Sequence, residues 1–133
     1  MEFAIVGLVL RVVPLGVRVL QALHGYYVDV AEAPKKADRL RQELRTVIVI
    51  LETLKETVEH SHNRFKGNVK VLEEALVHFA KLLEGMQVRV DAIQATGSKR
   101  LTWPFRDDTN QQYLDEIGRY KSTFILSLTT ENA

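Results

Sequence analysis

The sequence contains no cysteine and only three prolines among 133 residues. Without thiols there is no disulfide, no thiolate metal site and no cysteine nucleophile, which suits a reducing interior. A dominant charge of one sign is missing too: eighteen Lys and Arg stand against seventeen Asp and Glu, a net of +1. No global field of that size would gather nucleic acid, so that partner class is not expected. No stretch alternates apolar and polar residues over a useful length, so no sheet is expected. A glycine-rich phosphate loop, a Ser/His/Asp set and a paired-carboxylate motif are likewise absent. We therefore expect no enzyme activity, no cofactor and no small-molecule substrate. What remains is 46% apolar and 26% charged, the balance of an ordered domain rather than a disordered chain. At this length, residues 1–133 read as one domain that buries roughly two thirds of its unfolded surface.

The N-terminal stretch MEFAIVGLVLRVVPLGVRVLQAL stands apart. Between residues 3 and 20 only Arg11 and Arg18 are charged, and twelve residues are Val, Leu, Ile or Phe. Such a segment is apolar nearly all round and calls for the middle of a core or a lipid bilayer. As a helix of ~20 residues it reaches ~30 Å, the thickness of a bilayer core. Twelve apolar residues at about −0.3 to −0.6 kcal/mol favour insertion by roughly 4 to 7 kcal/mol, and two central arginines at about +2.5 to +3.5 kcal/mol cancel most of it. The helix is marginal as a span and suited to a bundle it can leave. Pro14 removes one helical hydrogen bond, so a kinked or split first helix is expected. Glu2 replaces the basic leader of a signal peptide and Arg11 interrupts the apolar run, so the segment reads as retained and the protein as intracellular.

Three further helices follow. Leu40, Leu44, Val47, Leu51, Leu54 and Val58 recur at alternate spacings of four and three from Lys35 to about His60, with Ile48 and Ile50 widening the face. Arg39, Arg41, Glu43, Arg45, Glu52, Lys55, Glu56 and Glu59 form its polar side. Val69, Leu72, Leu76, Phe79, Leu83, Met86, Val90 and Ile93 repeat the spacing in a third helix closed by Gly97. Asp107 and Asp108 introduce a fourth, with Thr109 and Gln112 spaced for a capping box and Tyr113, Ile117, Tyr120, Phe124 and Leu128 inward. The fold expected is all-α, an antiparallel four-helix bundle whose chain neighbours pack side by side. A coiled-coil oligomer is the main competitor. The abrupt end at Ala133 reads as a piece of something longer.

Two clusters carry weighable chemistry. His60 and His62 lie near Glu56 and Glu59, but a polar helix C-terminus accounts for them better than a metal site does. Lys99, Arg100 and Arg106 surround Trp103 in KRLTWPFR, a set able to touch anionic lipid headgroups. The plainer reading has Trp103 and Phe105 plugging the end of the bundle.

Taken together, the apolar opening, the helix start AEAPKKADRLRQEL, the regular middle helices and the tail RLTWPFRDDTNQQYLDEIGRYKSTFILSLTTENA resemble the HeLo-like N-terminal domains of fungal NLR-type (STAND) proteins. The tail is the most specific part of the likeness, which extends over essentially the whole chain. The resemblance implies a helical bundle joined in a longer chain to nucleotide-binding and repeat domains. It also implies programmed cell death in innate immunity or heterokaryon incompatibility, through release of the first helix from the cytoplasm into the plasma membrane after self-association. Pro14, Arg11 and Arg18 depart from the family pattern. The membrane-active segment is then Phe3, Ile5, Val6, Leu8, Val9, Leu10, Val12, Val13, Leu15, Val17 and Leu20, with Arg11, Arg18, Lys99, Arg100, Trp103 and Arg106 as contacts to anionic headgroups. The competing reading is a helical interaction module that relays a signal without touching membranes.

Overall fold

One apolar run and three amphipathic segments become four α-helices in the computed structural model, which describes residues 2–29, 35–60, 69–95, 105 and 107–132. They are α1 (Glu2–Asp29), α2 (Lys35–His60), α3 (Val69–Ala95) and α4 (Asp107–Asn132), and no strand occurs among the described residues. The chain is thus an all-α four-helix bundle. The six residues spaced four and three along α2 are all buried, as are Leu72, Leu76, Phe79, Leu83, Met86 and Val90 along α3. Helical periodicity places each set on one face, and burying that face holds helices of this length together.

The helices stand at the corners of a square in the order α1, α2, α4, α3. Close backbone approaches join α1 to α2 and α3, and α4 to α2 and, more sparsely, α3. His24 meets Arg41 at one end of the α1–α2 seam, and Val9 and Pro14 line a groove with Glu52 and Glu56 towards the other, so α1 and α2 run antiparallel. Arg89 lies over Tyr113 while Phe79 meets Phe124, so α3 and α4 do too. From His60 to Val69 there are nine steps of at most ~3.6 Å, about 32 Å. The 26 residues of α2 span about 39 Å. The α3 helix must therefore start near the end where α2 stops.

One expectation changes, and an alternative left open for α1 is decided. The α2 and α3 helices, expected side by side, lie on a diagonal with no close backbone approach. Periodicity reveals that a helix has an inner face but not which helix that face meets. Pro14 does not split α1, which is continuous across it. Both Pro14 and Leu10 are exposed, so the Leu10 carbonyl that Pro14 leaves without a helical donor is within reach of water.

At the start of α4 the Asp108 carboxylate accepts a hydrogen bond from the Thr109 backbone N–H at 2.8 Å. The helix begins at Asp107, so Thr109 lies inside the first turn and does not form the capping box with Gln112. Phe105 is buried and meets Tyr113 edge-on with ring centroids 4.9 Å apart, a plug at this end of the bundle. Trp103 lies outside the described residues.

The α3–α4 side is sealed by rings. Phe79, fully buried, packs against Tyr120 at 5.4 Å and edge-on to Phe124 at 5.8 Å. Replacing Phe79 with Ala should cost about 3–5 kcal/mol in chemical denaturation, the range for a buried phenylalanine. A loss under about 1 kcal/mol would show that Phe79 is not a core residue.

Burial raises the pKa values of Tyr113 and Tyr120 above the ordinary 10.0, with Glu116 adding to both and Arg89 and Arg119 respectively opposing. A tyrosine in the unfolded chain ionises first, near pH 10. The stability these groups contribute is therefore intact below about pH 10 and lost as pH rises through their raised values. Alkaline melts should show that loss, and Tyr113→Phe should blunt it.

Candidate functional site

The stretch of chain that no ordinary surface helix would contain is α1. Its inner face is a regular stripe of Ile5, Val9, Val12, Gly16, Val19 and Leu23, all buried. The stripe is hard to see in the sequence because the flanks are apolar as well. Val6, Leu8, Val13, Leu15, Val17 and Leu20 are half-buried against the core, and Leu10 is 57% exposed. The helix occupies a corner of the square, not its centre. Across Ile5–His24, long and apolar enough to cross a membrane, only 28% is buried in the bundle.

Gly16 is the closest point of that seat. A Cβ at this position would lie 3.1 Å from both Ile48 Cδ1 and Cγ1 and 3.7 Å from Leu83 Cδ1. Glycine costs a helix about 1 kcal/mol relative to alanine, and here it lets α1 approach α2 with Ile48 packed against its backbone. The sequence presents Gly16 only as a weak point in a helix, and Ile48 only as a widening of the α2 face.

Both arginines of α1 face solvent. The Arg11 guanidinium reaches Glu84 of α3 at 3.5 Å, with the two side chains 67% and 48% exposed. A pair this exposed contributes little. Arg18 is exposed. Neither arginine is buried, so the bundle avoids the desolvation cost that both would meet in lipid. The side chain of Phe3, and Lys99, Arg100 and Arg106 like Trp103, lie outside the described residues.

Two residues of α2 depart from a simple inside–outside reading, one at the α1–α2 seam and one on the α2–α4 side. Arg41, assigned to the polar side, is only 12% exposed and turns toward α1. It donates to His24 Nδ1 at 2.9 Å and to Asp38 Oδ1 at 2.9 Å. Glu43, also assigned outward, accepts from Lys121 of α4 at 2.7 Å. Towards the other end, Val9, Leu10, Val13 and Pro14 face Glu52, Lys55 and Glu56 across a groove of about 270 Å³. The Lys55 ammonium there lies 3.2 Å from Glu59, the expected helix-surface pair.

His60 Nδ1 donates to the Glu56 carbonyl at 2.7 Å, satisfying one of the open acceptors of the last turn of α2. Among the described residues no group of His, Asp and Glu is placed to hold a metal ion. The larger groove, about 700 Å³ between α2 and α4, is lined by Arg39, Gln111, Asp115 and the Glu43–Lys121 pair. It lies on the side of the square opposite the α1–α3 side.

No family model, no curated protein and no solved structure matches this chain.

A branched side chain at position 16 tests the seat. Gly16→Val should destabilise the bundle by about 1–3 kcal/mol, the usual cost of overpacking. Ile48→Ala in the same chain should recover part of that loss. Additive losses in the double mutant would show that the two positions do not meet.

Proposed function

We propose that the chain is the N-terminal effector domain of a fungal NLR-like receptor, and that α1 is a conditional membrane element. The supporting observation is the disproportion in α1: a stretch of spanning length and composition of which 28% is buried. The resemblance of the tail around Trp103 and of the helix start near Pro34 adds the family context. In this reading the resting bundle sits in the cytoplasm with α1 seated at Gly16. Gathering of copies, through nucleotide-binding and repeat domains of a longer chain, favours release of α1 into the plasma membrane and leads to programmed cell death. Several helices together can turn Arg11 and Arg18 towards water or anionic headgroups, which lowers a penalty that a lone helix could not meet. Lys99, Arg100, Trp103 and Arg106 would serve the same headgroups. No nucleic acid, cofactor or small-molecule substrate takes part.

One observation favours the competing reading, a helical interaction module without membrane activity. The α1 inner stripe and its outward arginines are also what the edge helix of a water-soluble bundle would show.

Leu10 separates the two readings because it is exposed and its replacement spares the core. Copies of the domain clustered on a scaffold should release dye from anionic vesicles. Leu10→Glu should lower the melting temperature only slightly, through repulsion from Glu52 and Glu56 across the groove, yet cut leakage about tenfold or more, since a central charge costs about 2.5–3.5 kcal/mol in lipid. Sealed vesicles and no lipid binding by the clustered wild type would assign the domain to the interaction class.

A further inference from the structure

The outer corner of the bundle at α1 carries three stripes of different chemistry. Its middle is an apolar ridge of Leu10 and Pro14, both exposed, with Val13 beside them in the groove toward α2. On the α2 side the ridge is flanked by Glu52 and Glu56, exposed residues that line the far wall of that groove. Lys55, the remaining charge of the groove, is taken up by Glu59 at 3.2 Å. On the α3 side the ridge is flanked by Arg11, which reaches across to Glu84, and by Arg18 two turns further along. Acid thus lies on one side of the ridge and base on the other.

We infer that this corner is a docking face for a second copy of the chain, with the two α1 helices parallel and related by a twofold axis that runs along them. Charge selects the orientation. A twofold along the helices brings the acidic side of each copy opposite the basic side of the other, so each Arg11 meets the other copy's Glu52 and Glu56. A twofold across the helices would set Glu52 against Glu52 and Arg11 against Arg11. The levels agree as well. Gly16 of α1 packs on Ile48 of the antiparallel α2, so the level of Arg11 is that of Thr53, between Glu52 and Glu56. Arg18 lies at the level of Thr46, next to Arg45 rather than an acid, so the contact is centred on Arg11. Arg11 can change partners readily, because its bond to Glu84 is long at 3.5 Å and its side chain is 67% exposed. A helix face of ~15 residues measures ~22 by ~10 Å, about 220 Å² per copy. Stable complexes bury about 800 Å² per partner, so this pair forms where copies are gathered and not in dilute solution. Its use as the first contact between gathered copies rests on the function proposed above; the pairing itself does not.

Because the chain has no cysteine, single cysteines can report the orientation by cross-linking. Gly7 and Gln21 are both exposed on the ridge side of α1, and a Cβ on Gly7 meets open space, so a cysteine at either spares the core. Gln112, exposed on α4, which makes no close approach to α1, is the control position. At about 1 mM under mild oxidation, Gly7→Cys should join to itself about fivefold faster than Gln112→Cys, since pairing raises the local concentration. A mixture of Gly7→Cys and Gln21→Cys chains should give the two like dimers in preference to the mixed one. Adding Arg11→Glu, or Glu52→Arg with Glu56→Arg, should slow the Gly7→Cys cross-link about tenfold while circular dichroism shows the helices intact. Mixing these two charge variants should restore the original rate, because both contacts of the pair then again join opposite charges. Equal rates at positions 7 and 112, a preferred mixed dimer, or no rescue on mixing would overturn the parallel pair. If the pair forms as expected while clustered copies leave anionic vesicles sealed, the docking face stands and the membrane reading falls.

Discussion

How closely α1 can approach its neighbours is decided at one position. Gly16 presents bare backbone to Ile48, with Leu83 of α3 just beyond, so three of the four helices converge there. The rest of α1 is positioned by that approach. Its buried stripe runs four and three residues to either side of Gly16, and the polar contacts to Arg41 and Glu84 lie toward its two ends. A Cβ would push α1 outward by a few tenths of an ångström and loosen packing along that face. Interiors this dense pass small displacements on to their neighbours.

This geometry gives α1 a divided character. Its inner third behaves as core, and its outer side carries Leu10, Pro14 and two arginines in water. The exposed ion pair to Glu84 adds little, so the seat depends on apolar contact along one face. Transfer to lipid would trade that contact for burial of the whole helix, against the cost of two arginines and a proline-freed carbonyl. The two sides of that exchange are of similar size. A balance so close responds to modest inputs, such as the gathering of copies. This is the physical basis of the function proposed for α1.

Much of the bundle was legible because α2 and α3 alternate polar and apolar residues with a clean period. The six positions spaced four and three on α2, from Leu40 to Val58, are all buried, and Ile50 on the widened face is half-buried. The α1 helix was harder for the opposite reason: with apolar residues on nearly every side, the periodic signal that would single out Val12 or Val19 is drowned. Gly16 was legible only as a cost, since a glycine's role in close approach depends on Ile48, thirty-two residues further along the chain. Arg41 and Glu43 looked like solvent residues because their cross-helix partners, His24 and Lys121, are distant in sequence. The diagonal placement of α2 and α3 was hidden likewise, because a heptad-like face does not name its partner.

The central claim is that α1 is seated in water and leaves its seat at an anionic membrane. Because the chain has no cysteine, a pair of cysteines can carry spin labels without interference. Labels at Arg18 on α1 and Arg45 on α2, both exposed, would report the distance between the helices directly. Dipolar electron resonance should give one narrow distance for the domain in solution. With clustered copies on anionic vesicles, a second and longer distance should appear in proportion to leakage. Leakage accompanied by an unchanged narrow distance would show that the membrane is breached without α1 leaving its seat, and would contradict the account.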